Sequence, residues 1–256
     1  MARKQIYKIP LLSWLFSAGL LLVMLSLSAL SLGYANFLQA DAVKTIELYG
    51  QRTMSPERVK RLTDAYLGQP LHALDVARIQ ESFLEYPLIR NAKVSREYPN
   101  KLNIYLYDVL PVAYFILDGK FYTLDEKTTL LPLPDKGMLY NLPIITGAQM
   151  DARSTNIGEA LQDETVTMLV DYLKILRKEH QGIYLDISEI SYDKRGIRLI
   201  SAEHGTTVLV GSEEDAHLST KILAQFISGD SEAGIISPYD YIDLRYDRQV
   251  IVKERK

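Results

Sequence analysis

The stretch YPLIRNAKVSREYPNKLNI, residues 86–104, decides how the first half of the chain folds. Residues 89–96 and 102–107 alternate apolar and polar side chains with the period of two that is typical of half-buried strands. The intervening YPNK, residues 98–101, consists of turn formers, so the two strands are predicted to form a hairpin. The second strand is expected to bury the following side chains: Leu102, Ile104 and Leu106. Its two tyrosines are expected on the opposite face: Tyr105 and Tyr107.

The residues before this hairpin predict one strand and two helices. Residues 44–50 alternate like a strand and stop at a glycine. Ser55 followed by Pro56 is typical of a helix start, and Gly68 is predicted to end that helix. A second helix is predicted to begin at Asp75 and to end just before the hairpin. The order strand, helix, helix, strand, strand indicates a small α+β unit with its helices on one face of a three-stranded sheet.

The N-terminal segment predicts a membrane anchor. Residues 11–32 carry no charge and are rich in leucine, which is enough apolar length to cross a bilayer as a helix. Three basic residues precede this segment: Arg3, Lys4 and Lys8. Because positive charge stays on the cytoplasmic side, the N-terminus is expected in the cytoplasm and the chain after residue 40 outside it. The alternative is a signal peptide cleaved after Ala35, but the apolar stretch exceeds the roughly 7–15 residues of a signal-peptide core.

From Pro111 onward the pattern changes to short strands. Strands are predicted at residues 113–117, 120–124, 187–192, 196–200 and 207–210. Prolines between residues 132 and 143 predict a long irregular connection. One helix is predicted over residues 159–178, and another begins at Ser212, with Asp215 completing a capping box. Strand candidates close the chain at residues 241–246 and 250–252.

Charge and composition exclude several classes of function. All 32 acidic residues but only 26 of the 29 basic residues follow residue 40, so the outer part of the chain carries a formal charge of −6. An acidic ectodomain argues against binding to nucleic acid. The chain has no cysteine, which excludes disulfides, thiolate catalysis and cysteine-ligated zinc.

Residues that could carry catalysis form no recognisable arrangement. The four histidines lack metal-ligand spacing, and no nucleophile elbow, phosphate-binding loop or dinucleotide motif occurs. Three carboxylates could be imagined as a glycosidase pair, but they are interpreted as turn residues: Asp118, Asp125 and Glu126. The lack of such motifs argues against an enzyme without excluding one, and no cofactor or metal is expected.

Tyrosine is unusually frequent, with 17 residues against 6 phenylalanines and 1 tryptophan. Tyr246 lies beside Arg245 close to the chain end, where a last strand often forms the edge of a sheet. Tyr and Arg are enriched at interface hot spots, and an edge strand offers free backbone groups to a partner. An interface and a plain solvated sheet face are equally compatible with these two residues on the sequence pattern alone.

Three motifs along the chain give it a resemblance to the FtsQ/DivIB family of bacterial cell-division proteins. The first is the opening stretch, residues 86–104. The second resembles the acidic-x-x-Pro-x-Ala-aromatic ending of the family's POTRA unit and consists of Asp108, Pro111, Ala113 and Tyr114. The third is YIDLRY, residues 241–246, which is similar to the family's closing Asp-Leu-Arg-Tyr. The resemblance covers essentially the whole chain.

The resemblance implies an α+β chain built from four segments. These are a cytoplasmic tail (1–10), a transmembrane helix (11–33), a βααββ POTRA domain (41–111) and a β-rich domain with a mainly antiparallel sheet and flanking helices (112–256). It also implies a non-enzymatic scaffold in the inner membrane, concentrated at the division septum, that helps control septal cell-wall synthesis.

The resemblance also implies partners and contact residues. The last strand would receive a segment of FtsB, which is itself bound to FtsL, and the POTRA domain would contact other septal proteins. Arg245 and Tyr246 would be contact residues. The strand that pairs with the partner would consist of Asp247, Arg248, Gln249, Val250, Ile251 and Val252.

Two other functions stay open at this point. A chaperone or transport component with POTRA units is one, although such proteins usually carry several units or a barrel. A membrane-tethered exported hydrolase is the other, and the lack of a nucleophile–base motif argues against it.

Overall fold

The computed structural model describes residues 11–37, 41–135, 137, 139–148, 155–229, 239–246 and 249–255. The first element is helix α1, Leu11–Phe37, whose 27 residues extend about 40 Å. Its stretch Trp14–Ser31 is long and apolar enough to cross a membrane and is not buried against the rest of the protein. Helix α1 therefore fits the predicted membrane anchor.

A three-stranded sheet and two helices follow, in the predicted order. The elements are β1 (Thr45–Tyr49), α2 (Pro56–Thr63), α3 (Val76–Leu84), β2 (Ile89–Glu97) and β3 (Lys101–Asp108). Strand β3 lies in the middle, parallel to β1 and antiparallel to β2. Leu102, Ile104 and Leu106 are buried beneath the helices, whereas Tyr107 is 48% exposed on the other face. The predicted hairpin and its two faces are confirmed.

The two helices of this unit begin at the predicted caps. The hydroxyl of Ser55 accepts a hydrogen bond from the backbone N–H of Arg58, and the carboxylate of Asp75 caps α3. The predicted end of α2 at Gly68 is wrong, because α2 stops at Thr63. Two 3-10 turns follow, Asp64–Tyr66 and Leu71–Ala73. The reason is tertiary: the N–H of Gly68 donates to the carbonyl of Val43, which draws the chain back towards β1.

The rest of the chain forms a larger sheet with nine described strands. They are β4 (Ala113–Leu117), β5 (Lys120–Leu124), β6 (Leu130–Leu131), β7 (Ile144–Thr146), β8 (Ile187–Asp193), β9 (Gly196–Ser201), β10 (Thr207–Gly211), β11 (Tyr239–Asp243) and β12 (Ile251–Glu254). Their spatial order is β12-β11-β10-β9-β8-β7-β4-β5-β6. Among the described strands five of the eight pairings are antiparallel, so the sheet is mainly antiparallel, as predicted.

Helices α4 (Glu164–Glu179), α5 (Gln181–Asp186) and α6 (Glu213–Gly229) complete the fold. Helices α4 and α6 pack against the large sheet, where their apolar side chains share one core with the strands. Helix α4 begins five residues later than predicted. The preceding segment is instead bonded to the β6 region, since Leu130 donates to the carbonyl of Glu159 and Leu161 donates to that of Thr128.

The first unit has a separate core, and one residue of the large sheet belongs to it. Leu131 of β6 is 2% exposed and packs among the apolar side chains of the first unit. The two units therefore meet at β6 as well as at the chain connection between β3 and β4.

Candidate partner-binding edge

Strand β12 forms one edge of the large sheet. It pairs antiparallel with β11, and Asp243 of β11 lies opposite Ile251. Strand β11 in turn pairs parallel with β10. Within the described part of the chain, β12 has a strand neighbour on one side only. Its other side presents the N–H and C=O groups that a further strand would need for pairing.

Side chains of β12 alternate between the core and the solvent. Val252 packs against the core of the large sheet, as does Val250 just before the strand. Ile251 is 39% exposed, and the ammonium of Lys253 lies 3.2 Å from the carboxylate of Asp240 on β11. Val250 and Val252 thus pack β12 and the residue before it against the sheet, whereas Ile251 and the outer edge of the strand stay accessible.

Arg245 is held in place by Asp243. The Asp243 carboxylate, nearly buried, accepts hydrogen bonds from Nε of Arg245 at 2.8 Å and from its Nη2 at 2.6 Å. It also accepts one from the Arg245 backbone N–H at 3.1 Å. These bonds hold the pKa of Asp243 below its usual value and raise that of Arg245. The guanidinium is therefore fixed in orientation before any partner arrives.

A glycine lies beside this arginine. Gly211, at the end of β10, has a φ of +105°, a conformation that side chains rarely adopt. A Cβ built there would lie 3.5 Å from Cγ of Arg245, an ordinary van der Waals contact, so the backbone conformation and not the space beside Arg245 favours glycine here.

Tyr246 follows at a bend in the chain and is 51% exposed. Its carbonyl accepts a hydrogen bond of 3.1 Å from the backbone N–H of Gln249. The tyrosine ring is thus presented to solvent between the fixed Arg245 and the open strand.

The structure describes six of the eight predicted contact residues, and they lie in three settings. Arg245 and Tyr246 follow β11, Gln249 and Val250 lie in the connection, and Ile251 and Val252 lie in β12. Asp247 and Arg248 lie outside the described residues.

Of the partner-pairing strand implied over residues 247–252, Ile251 and Val252 lie in β12, Ile251–Glu254, and Gln249 and Val250 precede it. The strand predicted from the pattern at residues 250–252 is thus displaced by one residue at its start. Earlier in the chain, the N–H of Leu244 donates to the carbonyl of Leu209, and Arg245 turns back to Asp243. The role of Asp243 in fixing Arg245 was not predicted. The spacing Asp-x-Arg was visible, and its mutual hydrogen bonds could have been inferred from it.

Elsewhere, the carboxylates interpreted as turn residues serve that purpose. Asp118 lies in the β4–β5 turn, and Asp125 accepts hydrogen bonds from the backbone N–H groups of Lys127 and Thr129. Within the residues that the structure describes, no group of three or more His, Asp or Glu side chains is arranged to hold a metal ion.

Comparison with known proteins gives two family matches. The family model "POTRA domain, FtsQ-type" matches residues 42–107, and "Cell division protein FtsQ/DivIB, C-terminal" matches residues 113–245. The second match therefore includes β11 and Arg245 and ends before β12.

Individual relatives agree with these matches. "Cell division protein FtsQ" of Syntrophotalea carbinolica is 27% identical over 215 residues, which cover 82% of this chain and 73% of the relative. The protein of the same name from Geotalea daltonii is 26% identical and covers 83% of this chain and 75% of its own length. "Cell division protein DivIB" of Clostridium tetani is 20% identical over 48% of this chain and 45% of the relative.

Proposed function

This chain belongs to the FtsQ/DivIB family of cell-division proteins, and from that premise we propose that β12 binds a strand of an FtsB-type division protein. The protein is a divisome scaffold with a POTRA domain. In this proposal its main contact adds a tenth strand to the described sheet, next to β12. FtsL would come with the FtsB-type partner.

The observation that carries the proposal is the open edge. A sheet edge without a neighbour invites strand addition, and soluble proteins usually protect such an edge with charges, bulges or a covering element. Strand β12 has an unpaired side within the described residues, with Ile251 exposed beside the charged Lys253 and Glu254. An added strand would gain backbone hydrogen bonds along its length, and side-chain contacts would select the partner.

The pair Arg245 and Tyr246 supplies that selectivity in this proposal. Because Asp243 holds Arg245 rigidly, little side-chain entropy is lost when a partner contacts it. The exposed ring of Tyr246 offers a large apolar surface with a polar tip, the combination that is enriched at hot spots.

Membrane orientation follows from charge in the same proposal. Arg3, Lys4 and Lys8 precede α1 and favour a cytoplasmic N-terminus. Both folded units, taken as residues 41–111 and 112–256, would then lie outside the cytoplasm. The inner membrane at the division septum is the expected location.

The role proposed for this chain is binding, without catalysis. The family matches favour it over a POTRA chaperone or transport component and over a tethered hydrolase. Its effect on septal wall synthesis would then be exerted through the proteins that it holds. Other septal proteins would bind the POTRA domain.

Replacing Tyr246 tests the anchor. In full-length protein in nanodiscs, Tyr246→Glu is expected to weaken binding of the purified FtsB–FtsL pair by about 2 kcal/mol or more, roughly 30-fold, because it buries a charge at a hot spot. Binding is measured by biolayer interferometry. Tyr107→Glu is the matched control, since Tyr107 is similarly exposed at 48% but lies on the POTRA sheet. A loss below about 1 kcal/mol for Tyr246→Glu would show that this residue is no anchor.

A further inference from the structure

The junction between the two folded units centres on one buried loop of the POTRA domain, residues 51–55, between β1 and α2. Thr53 and Met54 in this loop are fully buried. Two aspartates from the rest of the chain hold the loop, and they come from different sides of the junction. We call them the linker aspartate, Asp108, and the β-domain aspartate, Asp135.

The linker aspartate ends β3, where the chain leaves the POTRA domain. Its carboxylate accepts hydrogen bonds from the backbone N–H of Arg52 at 2.8 Å and from the hydroxyl of Thr53 at 3.2 Å. The next residue, Val109, donates its N–H to the carbonyl of Leu88 at 2.8 Å. The connection between the domains is therefore bonded to the POTRA domain up to its last residues.

The β-domain aspartate belongs to the segment after β6. Its backbone N–H donates to the carbonyl of Thr53 at 3.0 Å, so Thr53 is bonded by both aspartates. Its carboxylate accepts from Nε of Arg58 at 2.6 Å and from Nη2 at 3.2 Å. The same carboxylate lies 3.4 Å from the backbone N of Ser55, at the N-terminus of α2, where the helix dipole favours negative charge.

Apolar and aromatic groups support this ion pair. The guanidinium carbon of Arg58 lies 4.6 Å from the centre of the Tyr86 ring, which is itself buried. Arg58 also holds the pKa of Asp135 below its usual value, so the pair stays charged at neutral pH. Four residues before Asp135, Leu131 is inserted in the POTRA core.

Domains joined by one linker usually move relative to each other unless their interface is large and apolar. Here the second attachment consists of three contacts. They are the bidentate ion pair between Arg58 and Asp135, the hydrogen bond from the Asp135 N–H to the Thr53 carbonyl, and the burial of Leu131 in the POTRA core. A rotation about the linker at residues 109–112 would have to break all of these contacts at once.

We infer that the two aspartates and Arg58 form a clasp that locks the POTRA and C-terminal domains into one rigid body. The clasp holds β12 at a fixed orientation to the POTRA domain, whichever protein β12 binds. The inference therefore stands apart from the proposed FtsB-type contact. Asp108, the acidic residue of the second sequence motif, then has a structural role, because it bonds the loop at residues 51–55 to the end of β3.

A distance measurement between the domains tests the clasp. Because the chain contains no cysteine, Glu81→Cys on α3 and Lys221→Cys on α6 introduce two unique spin-label sites, both at exposed positions. Double electron–electron resonance on the full-length protein in nanodiscs is expected to give one narrow distance peak. Arg58→Gln and Asp135→Ala are each expected to widen the peak about twofold, because independent domain motion returns. Arg61→Gln, an exposed arginine on the same helix, is the control and should leave the width unchanged.

Two results would overturn the inference. One is a broad distribution in the protein with an intact clasp, and the other is an unchanged width in both Arg58→Gln and Asp135→Ala. If either variant loses helix content by circular dichroism, Asp135→Asn replaces it, since this change removes the charge of the ion pair and keeps the size of the side chain. An unchanged width with Asp135→Asn would then count against the clasp in the same way.

Discussion

The two edges of the large sheet differ in nearly every respect. At one end β6 is two residues long, both buried, and Leu131 packs into the POTRA core. The segment around residues 158–159 also bonds to the backbone of Leu130. At the other end β12 is four residues long, carries the exposed Ile251 and has no described strand beyond it.

This contrast supports the proposal that β12 is the binding edge. An unprotected edge exposes a protein to unwanted pairing, so an open edge beside a closed one indicates a use for it. The β6 edge is closed by the protein's own domains. The β12 edge is flanked by the Asp243–Arg245 pair and Tyr246, which gives it side chains as well as free backbone groups.

The largest expected difference between the edges is in stability. Leu131→Ala should lower the free energy of unfolding by about 2–5 kcal/mol, because it leaves a cavity where two domains meet. Ile251→Ala should change it by less than about 0.5 kcal/mol, because this side chain remains partly in solvent. Urea unfolding of the full-length protein, followed by circular dichroism, measures both.

Equal losses of unfolding free energy for the two variants would contradict this contrast, since they would mean that β12 contributes as much to the stability of the fold as β6. A loss of unfolding free energy confined to Leu131→Ala would support the contrast between the two edges. The same two variants should rank in the opposite order for binding of the FtsB–FtsL pair.

A smaller effect concerns the flank of the open edge. Arg245 lowers the pKa of Asp243 below its usual 3.8, so the stabilisation by this carboxylate is present above that pH and is lost as the pH falls through the lowered value. Asp243→Asn should therefore cost about 1–3 kcal/mol at pH 7, and the difference from the unaltered protein should shrink below pH 4. Urea unfolding at a series of pH values provides the measurement.

Asp193→Asn is the matched control for this prediction. Asp193 also pairs with an arginine two residues later, Arg195, but its side chain is 43% exposed, and solvent screens such pairs. A cost for Asp193→Asn as large as that for Asp243→Asn would show that burial of Asp243 adds nothing.

Most of the POTRA domain could be predicted from local pattern. The Ser55 and Asp75 caps and the alternation through Leu102 fixed helix starts and strand faces, because caps and periodicity act over a few residues. The predictions were less accurate where contacts with distant parts of the chain determine the local structure. Helix α4 starts late because Glu159 is bonded to β6, and the two-residue β6, just before the irregular connection predicted over residues 132–143, was not predicted.

The candidate site was predicted in part, for the same reason. The pairing of Arg245 and Tyr246 with a terminal edge strand came from the sequence and from the family resemblance. The pattern placed the last strand at residues 250–252, one residue from the observed start of β12 at Ile251, whereas the implied partner-pairing strand began four residues too early at Asp247. The clasp could not be predicted from the sequence either, because Asp135 and Arg58 are far apart in the chain.

Amide hydrogen exchange of the full-length protein in nanodiscs, with and without the FtsB–FtsL pair, tests the open edge most directly. Binding is predicted to slow exchange of the outward-facing amides within Ile251–Glu254, because they would then donate to the added strand, while Leu130–Leu131 stays unchanged. If the pair binds and exchange in Ile251–Glu254 is the same as without it, β12 is not the strand that receives the partner.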